Sequence, residues 1–133
     1  MARIVMTASA VLLGAAGVLL SFAPEVGLAL LGVAASPAAL LMGQLVGALY
    51  FGFAMLNWMN KDNPTGGIYN RPVVVANLTH FTIVGLAMLK FLSGSQPAPV
   101  LWAVGVVYTL LAIVFAVVLY THPFPPAGGQ PKP

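Results

Sequence analysis

Residues 57–80 decide the fold, and they read Asn-Trp-Met-Asn-Lys-Asp-Asn-Pro-Thr-Gly-Gly-Ile-Tyr-Asn-Arg-Pro-Val-Val-Val-Ala-Asn-Leu-Thr-His. Three of the chain's charged residues lie here, although the whole chain has only five Lys and Arg and two Asp and Glu. Strongly apolar segments precede and follow the polar part. A polar turn between two such segments indicates a hairpin at one face of a membrane. We expect it to continue into a spanning helix that carries Asn77 and His80.

The composition excludes several classes of protein. The 133 residues are 60% hydrophobic and only 5% charged, whereas an average soluble domain is about 25% charged. A soluble domain of this size keeps much of its surface in water, so it could not cover so much apolar surface. The absence of cysteine excludes disulfides, iron–sulfur clusters and cysteine nucleophiles. The net charge of +3 is too small and scattered to indicate a nucleic-acid partner.

Four segments reach the length of roughly 20 mainly apolar residues that a spanning helix needs. Three of them begin at a proline, which suits the first helical turn, and Ser36 is a candidate N-cap. We predict an all-α integral membrane four-helix bundle in residues 1–121 and a Pro/Gly-rich tail in residues 122–133. The predicted spans are about residues 4–22, 37–58, 72–92 and 99–120.

The segment between the first two spans is apolar but too short to cross a bilayer. Glu25 near its start would be favoured by a helix dipole. We therefore predict a short helix that lies in the interface or against the bundle, with an irregular loop as the alternative. A secretory signal is the alternative for residues 4–22, but this run is longer than the usual signal core of about 7–15 residues. We expect it to be retained as a spanning helix.

The positive charges predict the orientation in the membrane. With four spans, one side carries both termini and the hairpin of residues 59–71. That side has Arg3, Lys61, Arg71 and Lys132, and the other has only Lys90. We predict a multi-pass protein of the cell inner membrane, with both termini and the hairpin in the cytoplasm.

His80 is an ionisable residue inside a predicted span, about 12 Å along the third helix from Pro72. Such residues usually face a bundle interior or a cavity. Asn77 lies three residues earlier, on the same face, and Tyr50 falls at a matching depth on the second span. We predict that Asn77, His80 and Tyr50 share a hydrogen-bond network. Gln44 either extends this network or makes a separate contact.

Two uses of this network stay open. It holds the second and third helices in register, or it lines a site for a small molecule or lipid. We predict no catalytic residues, because both acids, Glu25 and Asp62, lie in loops. We also predict no metal and no cofactor. Ligation of a pigment or haem by His80 alone is disfavoured, since His122 lies at another depth and no other partner is indicated.

Two further features each have two interpretations, one purely structural and one that involves binding to another molecule. Lys61 and Arg71 would hold an anion such as a lipid phosphate, or would only anchor helix ends at the interface. Gly43 and Gly47 form a small-xxx-small pair. It would serve packing within the chain, which we favour, or dimerisation through the second span.

Three motifs resemble small bacterial four-helix membrane proteins. They are Gly-Ala-Leu-Tyr-Phe-Gly-Phe-Ala-Met-Leu-Asn-Trp at 47–58, Gly-Gly-Ile-Tyr-Asn-Arg-Pro at 66–72, and Phe-Ala-Pro-Glu at 22–25, with Asn77 and His80 following. The resemblance covers the first three spans. It implies the architecture and implies no activity.

The sequence thus favours a non-enzymatic structural or accessory membrane protein, as a homo-oligomer or as a subunit of a larger membrane complex. The alternative is a protein that binds or transports a small molecule or lipid near Tyr50, Asn77 and His80. Membrane lipid is a partner in both cases.

Overall fold

The computed structural model describes residues 2–63, 70–94 and 99–121, and these residues are helical apart from short turns. There are five helices in this part of the chain. They are α1 (Ala2–Phe22), α2 (Pro24–Leu30), α3 (Pro37–Asn60), α4 (Arg71–Gly94) and α5 (Pro99–Thr121). All helices but α2 are long and apolar enough to cross a membrane. The observed spans are slightly longer than predicted at most ends.

Local signals set several of the helix ends. Ser36 caps α3, because its hydroxyl accepts a hydrogen bond from the Ala39 N–H at 3.1 Å, as its position before Pro37 predicts. The end of α2 is closed by Gly32, whose φ of 72° only glycine adopts readily. The Val33 N–H donates to the Leu28 carbonyl at 2.9 Å. This is a Schellman motif, and it turns the chain back towards α3.

The helices pack as two pairs. α1 lies along α3 and α4 lies along α5, while contacts between the pairs are far less extensive. The helix α2 is tucked against one end of α1 and α3. The pairs therefore meet along a boundary that runs through the bundle, and two side-chain hydrogen-bond contacts, Asn57–Asn77 and Tyr50–Tyr108, cross it.

Glycines bring α1 and α3 into backbone contact. A Cβ atom added at Gly17 would lie 2.7 Å from the backbone nitrogen of Phe51, and one at Gly47 would lie 2.7 Å from that of Ser21. Only residues without a Cβ allow helices to approach so closely. Gly43 also faces the chain itself, with Pro24 3.4 Å from the corresponding position. The Gly43–Gly47 pair thus packs within the chain, the simpler of its two interpretations.

The core is apolar and the outer faces are apolar too. Fully buried side chains include Met6 and Leu13 on α1, Phe81 on α4 and Phe115 on α5. The outward faces expose many large hydrophobic side chains, such as Ile83 at 62%. Water is a poor solvent for such faces, and lipid is a good one.

Candidate functional site: a polar clamp beside an apolar cavity

Asn57 on α3 and Asn77 on α4 form a reciprocal amide pair across the boundary between the helix pairs. The Asn57 Nδ2 donates to the Asn77 Oδ1 at 2.8 Å, and the Asn77 Nδ2 donates to the Asn57 Oδ1 at 2.6 Å. The Asn57 Nδ2 also donates to the Ser9 hydroxyl on α1 at 3.0 Å. We call Ser9, Asn57 and Asn77 the clamp, because they join three helices.

All polar atoms of the clamp amides have partners. The second hydrogen of the Asn77 Nδ2 goes to the Val73 carbonyl at 2.8 Å, one turn earlier on α4. The Ser9 hydroxyl donates to the Met6 carbonyl at 3.0 Å. All three clamp side chains are 0% exposed. A buried polar network that is fully satisfied favours one packing arrangement over its alternatives.

A second polar contact crosses the boundary nearer the middle of the bundle. The Tyr108 hydroxyl on α5 donates to the Tyr50 hydroxyl on α3 at 2.7 Å. Tyr50 lies about 15 Å along α3 from Asn60, and Tyr108 about 14 Å along α5 from Pro99. Both hydroxyls are therefore deep within a span, far from either end.

His80 lies in a cluster of aromatic rings around this tyrosine pair. Its ring stacks on Phe53 with centroids 5.2 Å apart, meets Tyr50 edge-on at 5.6 Å, and lies 5.8 Å from Tyr108. Phe81 completes the cluster at 5.2 Å. The Nε2 atom of His80 is buried and has no hydrogen-bond partner among the described residues. His80 thus contacts its neighbours through its ring, and its Nε2 atom makes no hydrogen bond to the described residues.

A cavity of about 430 Å³ lies beside the tyrosine pair, between α1, α3 and α5 and closed at one end by α2. Its volume is within the range of about 300–1,000 Å³ for small-molecule sites. Tyr50 and Tyr108 contribute its phenol groups, and the other lining side chains are aliphatic. These include Leu12, Leu19, Val46, Val100, Ala103 and Val107.

The cavity opens towards the lipid-facing side of the bundle. Leu12 on α1 and Val107 on α5 line it, and both are more than a third exposed. Leu30 at the α2 end is 58% exposed. In a bilayer, a molecule would enter between α1 and α5 from the hydrocarbon region rather than from water. The arrangement can hold an apolar molecule and offer it a hydroxyl.

The structure separates the residues that the sequence grouped into one network. Asn77 belongs to the clamp, and no hydrogen bond links it to His80. Tyr50 and His80 are in ring contact and sit beside the cavity. Gln44 is exposed on another face of α3 and touches neither group. The predicted four residues are thus one clamp residue, two residues near the cavity and one outward-facing amide.

The cations at the Asn57 end of the bundle have individual partners. The Lys61 Nζ lies 3.5 Å above the Trp58 ring, and Arg71 begins α4. Asp62 forms an ion pair with Arg3, with 2.9 Å between Arg3 Nε and Asp62 Oδ1. This pair ties the start of α1 to the end of α3. Gly66, Gly67 and His122 lie outside the described residues.

Sequence reasoning missed Ser9, Asn57 and Tyr108. A signal for Asn57 existed: Gly43, Gly47, Tyr50, Ala54 and Asn57 follow alternate steps of four and three, which is the stripe that α3 turns inwards. Its position at the start of the polar stretch 57–80, beside Trp58 and Asn60, obscures that signal. Nothing in the sequence singled out Ser9, or showed that Tyr108 would face Tyr50.

Within the described ranges, no group of three or more His, Asp or Glu side chains is placed to hold a metal ion. Four membrane-length apolar helices, with the polar contacts turned inwards, define the class: the chain fits a helical multi-pass membrane protein. Comparison with protein-family models, curated proteins and solved structures found no match. The function therefore has to be argued from the site itself.

Proposed function

We propose that this chain is a non-enzymatic integral membrane protein that binds an apolar, membrane-resident molecule in the cavity between its helix pairs. The observation that supports this most is the cavity beside Tyr50 and Tyr108, aliphatic elsewhere and facing lipid on its exposed side. A binding site needs this combination of shape, lining and access. The proposal assigns no catalytic residue, metal or cofactor.

The clamp supports the same proposal. It joins α1, α3 and α4 at the Asn57 end, whereas the cavity occupies the end closed by α2. Hydrogen bonds at one end link the helix pairs, and at the other end the cavity leaves space between α1 and α5. We propose that Asn77 has this structural role, and that the binding role belongs to Tyr50 and its neighbours.

The test fills the cavity. In the Ala103→Trp variant, the indole ring occupies the cavity. The control is Ala87→Trp, which places the same ring on α4, a helix that contributes no residue to the lining of this cavity. Each protein is purified in mild detergent and analysed by native mass spectrometry and solvent extraction. We expect wild type and Ala87→Trp to retain an apolar molecule and Ala103→Trp to lose it. Equal retention by both variants contradicts the proposal.

A second candidate is the structural or accessory role, as a homo-oligomer or a subunit of a larger complex. One observation favours it. Gln44, Ala48 and Gly52 are spaced four apart on α3, and all three are exposed. Gln44 lies about 10 Å into the span. An amide there is costly in lipid, and side-chain amides and small residues both favour helix association.

Native mass spectrometry also tests this candidate. If α3 associates through this face, Gln44→Leu and Gly52→Leu shift the protein from a dimer to a monomer. Leu86→Phe on the outer face of α4 serves as the control. A wild-type protein that is monomeric at all concentrations, with no co-purifying subunit, removes this candidate.

A further inference from the structure

We infer that the cavity selects an apolar, membrane-resident molecule that carries a carbonyl oxygen, and that its ligand is a quinone with a hydrocarbon tail. This rests on the proposed function, and it goes further by naming the chemistry that the site recognises. Three features of the site support it: a spare hydroxyl hydrogen in the tyrosine pair, the depth of that pair and the lining around it.

The tyrosine pair has a donor to spare. The two phenols share one hydrogen bond at 2.7 Å, so one of their two hydroxyl hydrogens remains available, and Tyr50 is the less buried of the two. No acceptor among the described residues takes it. A hydroxyl hydrogen without a partner in an apolar setting is costly, and the cost is recovered when an acceptor arrives. The cavity therefore favours a ligand that brings an oxygen acceptor to Tyr50.

The depth of Tyr50 restricts where that oxygen sits in the ligand. Tyr50 is about 15 Å from the nearer end of α3, so its hydroxyl lies well inside a hydrocarbon core of about 30 Å. The ester oxygens and head group of a phospholipid stay near the interface, so a phospholipid would present only its tail here. The ligand must carry its acceptor into the hydrocarbon region.

The lining restricts the rest of the ligand. Apart from the two phenols, the side chains are aliphatic, and no charged residue lines the cavity. A charged or strongly polar group would be buried there without a partner. Among membrane-resident molecules, a quinone joins carbonyl acceptors on a flat ring to a long hydrocarbon tail. The opening between α1 and α5 gives the tail a path into the bilayer.

Two matched probes test the inference, decyl-1,4-benzoquinone and decylbenzene, which share the chain and the ring size and differ in the carbonyl oxygens. Their dissociation constants are measured on the purified full chain in detergent. One hydrogen bond predicts about 3- to 10-fold tighter binding of the quinone by wild type. Tyr50→Phe loses most of this preference, and Tyr50→Phe combined with Tyr108→Phe loses all of it.

Removing both phenol hydroxyls leaves no unpaired partner, so the double variant is expected to fold. Thr109→Val is the control. Thr109 follows Tyr108 in the chain, and its hydroxyl donates to the Gly105 carbonyl outside the cavity. This variant should keep the preference. Equal binding of both probes by wild type overturns the carbonyl inference and leaves the proposed function standing. Failure of both probes to bind wild type overturns the proposed function as well. A preference that survives loss of both hydroxyls overturns the role of the tyrosines.

Discussion

Asn57 and Asn77 exchange two hydrogen bonds, at 2.8 and 2.6 Å, across the boundary between the α1–α3 pair and the α4–α5 pair. Both side chains are completely buried. The pair is therefore a direct link between the two units, in addition to the tyrosine hydrogen bond and the ring contacts of His80.

Loss of both members of this pair should cost less than the sum of the two single losses. In Asn57→Leu or Asn77→Leu, the remaining amide keeps buried donors and acceptors without partners. We expect each single variant to lose about 1–2 kcal/mol of unfolding free energy, and the double variant to lose less than the sum. Denaturation in detergent of the four proteins gives the coupling energy. Strict additivity would mean that the two amides do not act together.

The α1–α3 contact should not tolerate a methyl group at Gly47. A Cβ there would lie 2.7 Å from the Ser21 nitrogen and 2.9 Å from the Leu20 carbonyl carbon. We expect Gly47→Ala to destabilise the protein by about 1–3 kcal/mol through overpacking. Gly14→Ala on α1 is the control, because the added atom would lie at an ordinary contact distance of 3.5 Å from the Ala54 Cβ. If both variants melt at the wild-type temperature, the close approach is wrong.

His80 should be replaceable by a ring without a nitrogen. Phe at this position keeps the contacts with Phe53 and Tyr50 and removes an Nε2 atom that has no partner among the described residues. We expect His80→Phe to leave the melting temperature unchanged or to raise it, with a gain of up to about 1 kcal/mol. His80→Ala should lower it, because the cluster loses a ring. Equal losses in both variants would show that the imidazole nitrogens matter.

The predicted orientation can be tested by single-cysteine labelling, since the native chain has no cysteine. Cysteine at Asn63 should resist a membrane-impermeant maleimide in intact cells, and cysteine at Ala34 should react. The prediction follows from the excess of Lys and Arg on the Asn63 side. The reverse labelling pattern would place both termini outside the cytoplasm.

The sequence predicted the positions of the helices well, but it did not predict which side chains would meet between helices. Hydropathy and proline positions located all four long helices, and Ser36 marked the start of α3, because these signals act locally. The position of Asn77 on an inward face was also readable from spacing. Its partner was not, because a helix sequence does not show how far the next helix is rotated or shifted. A shift of about two helical turns would have set Asn77 against Tyr50 instead of Asn57.

The cavity was beyond sequence reasoning for a different reason. It arises where small side chains such as Ala16 and Ala103, and the short helix α2, leave space between α1 and α5. Each of these residues is an ordinary member of an apolar span. Empty volume belongs to the packing of several helices together, and no single stretch encodes it.

Photolabelling with a diazirine-bearing alkane tests the central claim, that the space between the helix pairs binds apolar molecules. The purified protein in lipid nanodiscs is irradiated with the probe, and labelled peptides are mapped by mass spectrometry. We predict labels concentrated on Leu12, Leu19, Val100, Ala103 and Val107, competed by excess unlabelled alkane and absent from these positions in Ala103→Trp. Labels spread evenly over outward residues such as Ile83, Leu86 and Ile113, with no competition, would contradict the account.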